Sequence, residues 1–267
     1  MHACLGREAN RISYNTSVDV NTVDLNTVNP TTLSHLLDLN RQFYQTFARQ
    51  FSATRQRLQP GVSQILFRYV RPADDLLDLG CGNGELARHL ARNGHQGSYL
   101  GLDFSPVLLE QADMGQPANF HFIQADISSS GWEVFLAGKR YAAILAFAVL
   151  HHIPGEKLRQ QVLGKVKALL APGGCFIHSE WQFLNSPRLS ARVQPWEAVG
   201  LSPADVDPGD YLLDWRQGGT GLRYVHHFSE TELEQLAAVT GFSIIESFLS
   251  DGENRRLGLY QVWNITS

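Results

Sequence analysis

From Asp75 onward, short apolar runs alternate with stretches whose apolar residues recur every three or four positions. The short runs predict strands near 75–79, 98–103, 119–124, 141–147 and 173–181, and the longer-period stretches predict helices near 84–93, 105–113, 131–137 and 155–170. Strict strand–helix alternation marks an α/β protein with a parallel sheet covered on both faces. The last of these helices stops at Ala171-Pro-Gly-Gly174, a tight helix-to-strand turn. Two further helices precede the first strand. Leu33, Leu36, Leu37, Phe43, Tyr44 and Phe47 mark one face of the first, with Thr31 or Thr32 as its N-cap. Val62, Ile65, Leu66 and Tyr69 mark the second, which follows Pro60 and ends before Pro72. After the fifth strand the pattern breaks, and residues 182–228 read as an irregular, aromatic-rich insertion of the kind that covers an active site. A helix at 229–240, capped by Ser229 with Glu232 three residues on, and strands near 242–249 and 256–264 close the chain.

Residues 1–31 have no amphipathic period and repeat Asn-Thr-Val, which leaves two readings, an unordered tail or a lid. One domain is therefore expected over 32–267, with a helical cover at 32–70 and the insertion at 182–228. The 43% hydrophobic and 18% charged residues are those of an ordinary globular protein. No run approaches the ~18 apolar residues of a membrane span, and the first thirty residues lack a signal-peptide pattern. The expectation is a cytoplasmic protein that does not enter a membrane. The three cysteines, Cys4, Cys81 and Cys175, have neither metal-like spacing nor even pairing, which suits a reducing compartment. A net charge of −4 offers no overall basic field for nucleic acid. The eighteen Arg against four Lys fit either planar recognition of carboxylate and phosphate or a bias of genome composition.

The segment Asp75–Glu85, an apolar strand running into Gly80, Gly82 and Gly84, carries the chemistry. Glycines there allow a sharp turn and close approach of a ligand. The sixth position of the dinucleotide fingerprint is Glu85 rather than Gly. That argues against a pyrophosphate at this helix N-terminus and tolerates S-adenosylmethionine, which has no phosphate. Asp78 can meet a cationic amino end. Asp103, closing the next strand, can accept two ribose hydroxyls. Asp126, after the third strand, suits an adenine amino group, with Phe104 and Ile127 against the ring.

With these residues in place, the chain resembles the class I S-adenosylmethionine-dependent methyltransferases over roughly residues 70–264. The segment Ala146–Ile153 and the turn Leu170–Gly174 are similar to that family as well. The resemblance implies a Rossmann-like seven-stranded sheet of order 3-2-1-4-5-7-6 with strand seven antiparallel. The candidate cofactor set is Asp78, Gly80, Cys81, Gly82, Asn83, Gly84, Asp103, Phe104, Ser105, Asp126, Ile127 and Ala146.

The acceptor is constrained by what is missing. No Asn/Asp-Pro-Pro-Tyr follows strand four, and neither Cys81 nor Cys175 is placed as a nucleophile for base C5 methylation. Transfer to an oxygen, a simple nitrogen or a small-molecule carbon is left. A carboxylate would need Arg clamps, a hydroxyl a general base. The segments Phe43–Arg55, Gly209–Trp215 and Leu222–Glu230 resemble the tRNA methyltransferases that esterify 5-carboxymethyluridine at the wobble position, with Asp214 and Val225 departing from that pattern. The resemblance implies that Arg55 and Arg223 hold the acceptor carboxylate, that His151, Trp215 and Tyr44 line the pocket, and that a small activator subunit is allowed. His151 is the candidate general base if the acceptor is a hydroxyl. His151-His152 and His226-His227 do not suggest a metal, because neighbours on a strand point to opposite faces. Two rivals stand beside tRNA: a small-molecule acceptor, and a non-catalytic cofactor-binding subunit.

Overall fold

A computed structural model describes residues 28–54 and 57–266. Five parallel strands form the centre: β1 (Leu76–Leu79), β2 (Tyr99–Asp103), β3 (Phe120–Gln124), β4 (Tyr141–Phe147) and β5 (Leu170–Trp181). Two antiparallel strands, β9 (Phe242–Ser250) and β10 (Gly258–Ile265), complete a sheet of order β3-β2-β1-β4-β5-β10-β9. In order of appearance this is the 3-2-1-4-5-7-6 arrangement, with the seventh strand of this sheet antiparallel.

Alternation along each strand explains why both faces are covered. Leu77, Leu79, Ile144 and Phe176 share one core with α5 (Glu156–Leu169) and α7 (Glu230–Thr240). Leu76, Tyr99, Leu145 and Ile177 share the other with α2 (Pro60–Tyr69) and α3 (Glu85–Arg92). Short α4 (Pro106–Ala112) links β2 to β3, and the helix expected at 131–137 is a single 3₁₀ turn, Val134–Leu136. The Ala171–Gly174 turn shifts the β4–β5 register between Tyr141 and Ala143.

Two further elements differ from the sequence reading. The first helix, α1, runs Pro30–Ala53, and its N-cap is Asn29, whose Oδ1 accepts the Thr32 amide at 2.9 Å. Thr31 and Thr32 lie inside the helix because Pro30 fits the first helical position, where no amide is needed. Residues 1–27 of the expected tail lie outside the described residues. The second difference is in the insertion, which is not irregular. It folds short α6 (Pro187–Ser190) and an antiparallel sheet of β6 (Val193–Gln194), β7 (Asp210–Trp215) and β8 (Gly221–His226). Its strands were masked in the sequence by the aromatics and glycines between them.

α1 packs on this small sheet rather than on the large one. Leu36 joins Trp196, Leu212 and Tyr224, and Phe43, Tyr44 and Phe47 join Trp215. The result is a second layer above the C-terminal ends of the parallel strands.

Candidate active site

Ligands bind parallel sheets at the carboxyl ends of their strands, and a cavity of about 360 Å³ opens there between the sheet and the α1–insertion layer. Asp78, Gly80, Cys81, Gly82 and Asn83 line its floor. Gly82 has φ 56°, and a Cβ there would meet nothing within 4 Å, so the loop leaves open space above it. Gly84 does not line the cavity. Its φ is 77°, and a Cβ would come within 2.7 Å of Ala112 Cα, so its glycine serves the packing of α3 on α4.

The three acids are brought together, in different states. Asp103 accepts the amides of Gly82 and Ser105, each at 2.9 Å, and burial still raises its pKa to about 6. Asp78 is fully buried. Burial pushes it up to about 7 against the hydrogen bond from Tyr99, with a smaller push from Asp103. Such a carboxyl is a natural counter-ion for an incoming cation. Asp126 is raised by burial, but the donors Ser128 and Arg41 outweigh that and hold it below its ordinary range. One of its oxygens faces Arg41 Nε and Nη2 at 3.0 and 2.7 Å, the other the Ser128 amide at 2.9 Å. The acid expected to meet adenine is thus shared with α1, from which the sequence reading had drawn Tyr44 but not Arg41 as a site residue. Phe104 and Ile127 line the cavity beside it. Ser105 does not line it, because its hydroxyl caps α4. Ala146 is a correction: it is buried in the core, and Ala148, at φ 58°, reaches the cavity instead.

α1 is fastened across this floor. Asn83 Nδ2 donates to Ser52 Oγ at 2.9 Å, and Tyr44 Oη lies 2.8 Å from His152 Nε2. His152 Nδ1 faces the Tyr224 carbonyl at 3.3 Å, so Nδ1 carries the proton and Nε2 accepts from Tyr44.

The other end of the cavity is lined by His151, Glu180, Trp181, Arg223 and Tyr260. The Arg223 guanidinium is buried in an aromatic frame, 4.8 Å from the Trp181 ring centre, 5.3 Å from Phe43 and 5.8 Å from Trp215. Trp215 does not line the cavity; it backs Arg223, and its Nε1 donates to the Gln217 carbonyl at 2.6 Å. Arg55 lies outside the described residues. His151 and His152 occupy a 3₁₀ turn rather than a strand, with ring centres 4.4 Å apart, so the opposite-faces argument fails for that pair.

Sequence reasoning missed Arg41, Asn40, Ser52, His152 and Glu180. A signal existed for one: His178 and Glu180 sit two apart in an apolar strand and therefore share a face. The others depend on where α1 lands, which no local pattern encodes.

Fold and site together define a class I methyltransferase whose cofactor is S-adenosylmethionine. The chain belongs to the family described as "Methyltransferase domain", whose model matches residues 44–247. It is 27% identical over 232 residues to the malonyl-[acyl-carrier protein] O-methyltransferase of Halalkalibacterium halodurans, covering 77% of this chain and 79% of that one. It is also 27% identical over 222 residues to the tRNA (carboxymethyluridine(34)-5-O)-methyltransferase of Schizosaccharomyces pombe, covering 77% and 89%. Among solved structures, the 1,6-didemethyltoxoflavin-N1-methyltransferase of Burkholderia thailandensis with bound S-adenosylhomocysteine superposes with a TM-score of 0.60 at 20% identity, over 92% of this chain and 94% of that one. Among the described residues, no helix is long and apolar enough to cross a membrane.

Proposed function

We propose that this chain methylates a carboxylate oxygen, and that the carboxylate is the carboxymethyl group of a wobble uridine in tRNA. The observation that carries the first part is Arg223, a guanidinium buried against three aromatic rings at the cavity wall. A guanidinium held rigidly by such a frame at the cavity wall fits a carboxylate acceptor in bidentate fashion. Both relatives named above act on acceptors whose names include a carboxyl-bearing group.

S-adenosylmethionine supplies an electrophilic methyl group on a sulfonium. On the proposed reading Asp78 meets its cationic amino end, Asp103 takes the ribose hydroxyls, and Phe104 and Ile127 flank the adenine beside Asp126. Arg223 orients the acceptor for in-line attack. The carboxylate oxygen held by Arg223 would receive the methyl group of the cofactor held by those residues. An ionised carboxylate gives up no proton, so alignment rather than a base supplies the rate.

For tRNA, support comes from the placement of arginines near the mouth. Arg188, Arg255 and Arg256 are exposed, and their segments are tied together where Asn185 Nδ2 donates to the Arg256 carbonyl at 2.8 Å. Leu257, next in the chain, lines the cavity. Although Asp251 and Glu253 of the same loop offset part of this charge, exposed arginine side chains suit a phosphate backbone even on an acidic molecule. A second reading, a small carboxylic acid as acceptor, is favoured by α1 lying fastened across the cavity.

The test supplies isotopically labelled cofactor with bulk tRNA and with a small-molecule extract from one host. Alkali-labile label in tRNA supports the proposal, whereas label only in small molecules ends the tRNA part. Arg223→Ala is expected to keep cofactor affinity and lose about a hundredfold in kcat/KM, the size of a lost charged hydrogen-bond pair. Full turnover on the true acceptor would remove Arg223 from the site.

A further inference from the structure

At the C-terminal end of β5, Glu180 is buried between two imidazoles. Its Oε1 lies 2.9 Å from His178 Nδ1. Its Oε2 lies 3.0 Å from His151 Nδ1 and accepts the His151 amide at 3.1 Å. A carboxyl–imidazole contact allows two arrangements of one proton. An ionised Glu180 would accept Nδ1–H and leave Nε2 as a base, whereas a protonated Glu180 donates to Nδ1 and leaves Nε2–H as a donor.

The neighbouring amide separates them. Trp181 N–H donates to His151 Nδ1 at 3.3 Å, so Nδ1 presents a lone pair. A proton on Nδ1 would set two donors against each other. The surroundings agree. Burial raises the Glu180 carboxyl well above its ordinary range, outweighing the His151 amide and Arg159 of α5, while Glu232 of α7 pushes the same way as burial. His178, stacked on Phe176 and edge-on to Trp263, is held neutral by burial, its pKa lowered to about 3. It can therefore donate Nδ1–H to Oε1 without bringing a charge. Other charged or titratable groups of the described residues line this end of the cavity: Arg223 of β8, Asp251, which accepts the Tyr260 hydroxyl, and His152, whose ring centre lies 4.4 Å from that of His151.

We propose that Glu180 is a protonated positioning residue which, with the Trp181 amide, holds His151 as the Nε2–H tautomer, making that nitrogen a hydrogen-bond donor to the acceptor's carboxylate rather than a base for a hydroxyl. The ligand in this statement rests on the carboxylate reading above, but the proton arrangement does not. No proton moves during transfer, since the carboxylate arrives ionised and leaves as a neutral ester.

Two measurements on the wild-type protein test the arrangement directly. Infrared difference spectra against Glu180→Gln should show a protonated carboxyl band at neutral pH that the variant lacks. Nitrogen-15 spectra should place the His151 proton on Nε2. An ionised carboxylate band, or a proton on Nδ1, would overturn the proposal whatever the acceptor proves to be. Kinetics then read the positioning role. Glu180→Leu should lose about tenfold in kcat/KM for the acceptor with little change in cofactor Kd. Glu180→Gln, whose amide can still donate to Nδ1, should recover most of that loss, with a pH profile parallel to wild type. A glutamine variant as poor as the leucine one, beside a wild-type rate that climbs with pH, would mean a base dyad and overturn the proposal. A hydroxyl acceptor found together with the Nε2–H tautomer would instead sink the carboxylate reading while leaving the proton arrangement standing.

Discussion

A buried carboxyl beside a second one takes either a proton or a cation, and Asp78 is placed to exchange the first for the second. Its pKa near 7 means that at neutral pH a good part of the protein holds a proton there. A cationic cofactor end favours the ionised form, so binding should expel that proton and tighten as pH rises through about 7. Calorimetry in two buffers of different ionisation enthalpy should therefore give different apparent heats near neutral pH, a difference that Asp78→Asn abolishes. Equal heats in the wild type would show that Asp78 does not sense the cofactor. Asp78 and Asp103 were legible as site residues because they end strands beside a glycine turn. Their protonation was not legible, because burial is a property of the packed whole. Ala146 shows the same limit: one residue of strand drift separates a core alanine from the cavity wall.

At the level of elements, α1 decides how closed the site is. Asn40 is the buried link between it and the insertion, donating to the His152 carbonyl at 3.2 Å and accepting the Tyr224 amide at 2.9 Å. Asn40→Ala would strand two buried backbone groups, at roughly 1–3 kcal/mol each. The expected result is a melting temperature lower by several degrees, with faster hydrogen exchange confined to α1 and β8. An unchanged melting curve would mean that α1 is not held by this link. The amphipathic period revealed α1 readily, with Leu36 and Phe43 on its buried side. Its partner was not readable, since an apolar stripe says that a helix packs, not against what.

Across the whole molecule, a cluster of charges joins the insertion to the main domain, with Arg159 of α5 facing Asp207 at 3.9 Å and Glu232 at 3.7 Å. His226 lies 2.6 Å from Asp210 and 2.7 Å from Glu232, tying β8 to β7 and to α7. Burial lowers its pKa, but the hydrogen bonds to the two carboxylates outweigh this and raise it. A group raised on folding contributes stability that is complete below its unfolded pKa, about 6.5, and is lost as pH rises through the folded value. Denaturant midpoints should accordingly fall as pH climbs above neutrality, and His226→Asn should remove that part of the slope. Identical slopes in both proteins would leave His226 without a charge to lose.

The sequence alone determined the sheet, its strand order by resemblance, the glycine turn and the acids at the strand ends. These rest on local period and on short-range turn chemistry, which a chain carries in its own spacing. Only the tertiary structure decided that the insertion is a sheet, that Arg41 shares Asp126, that Trp215 stands behind Arg223, and that Glu180 lies between His151 and His178. Each of these depends on residues far apart in the chain meeting in a low-dielectric interior, where a single amide or carboxyl settles which atom keeps a proton.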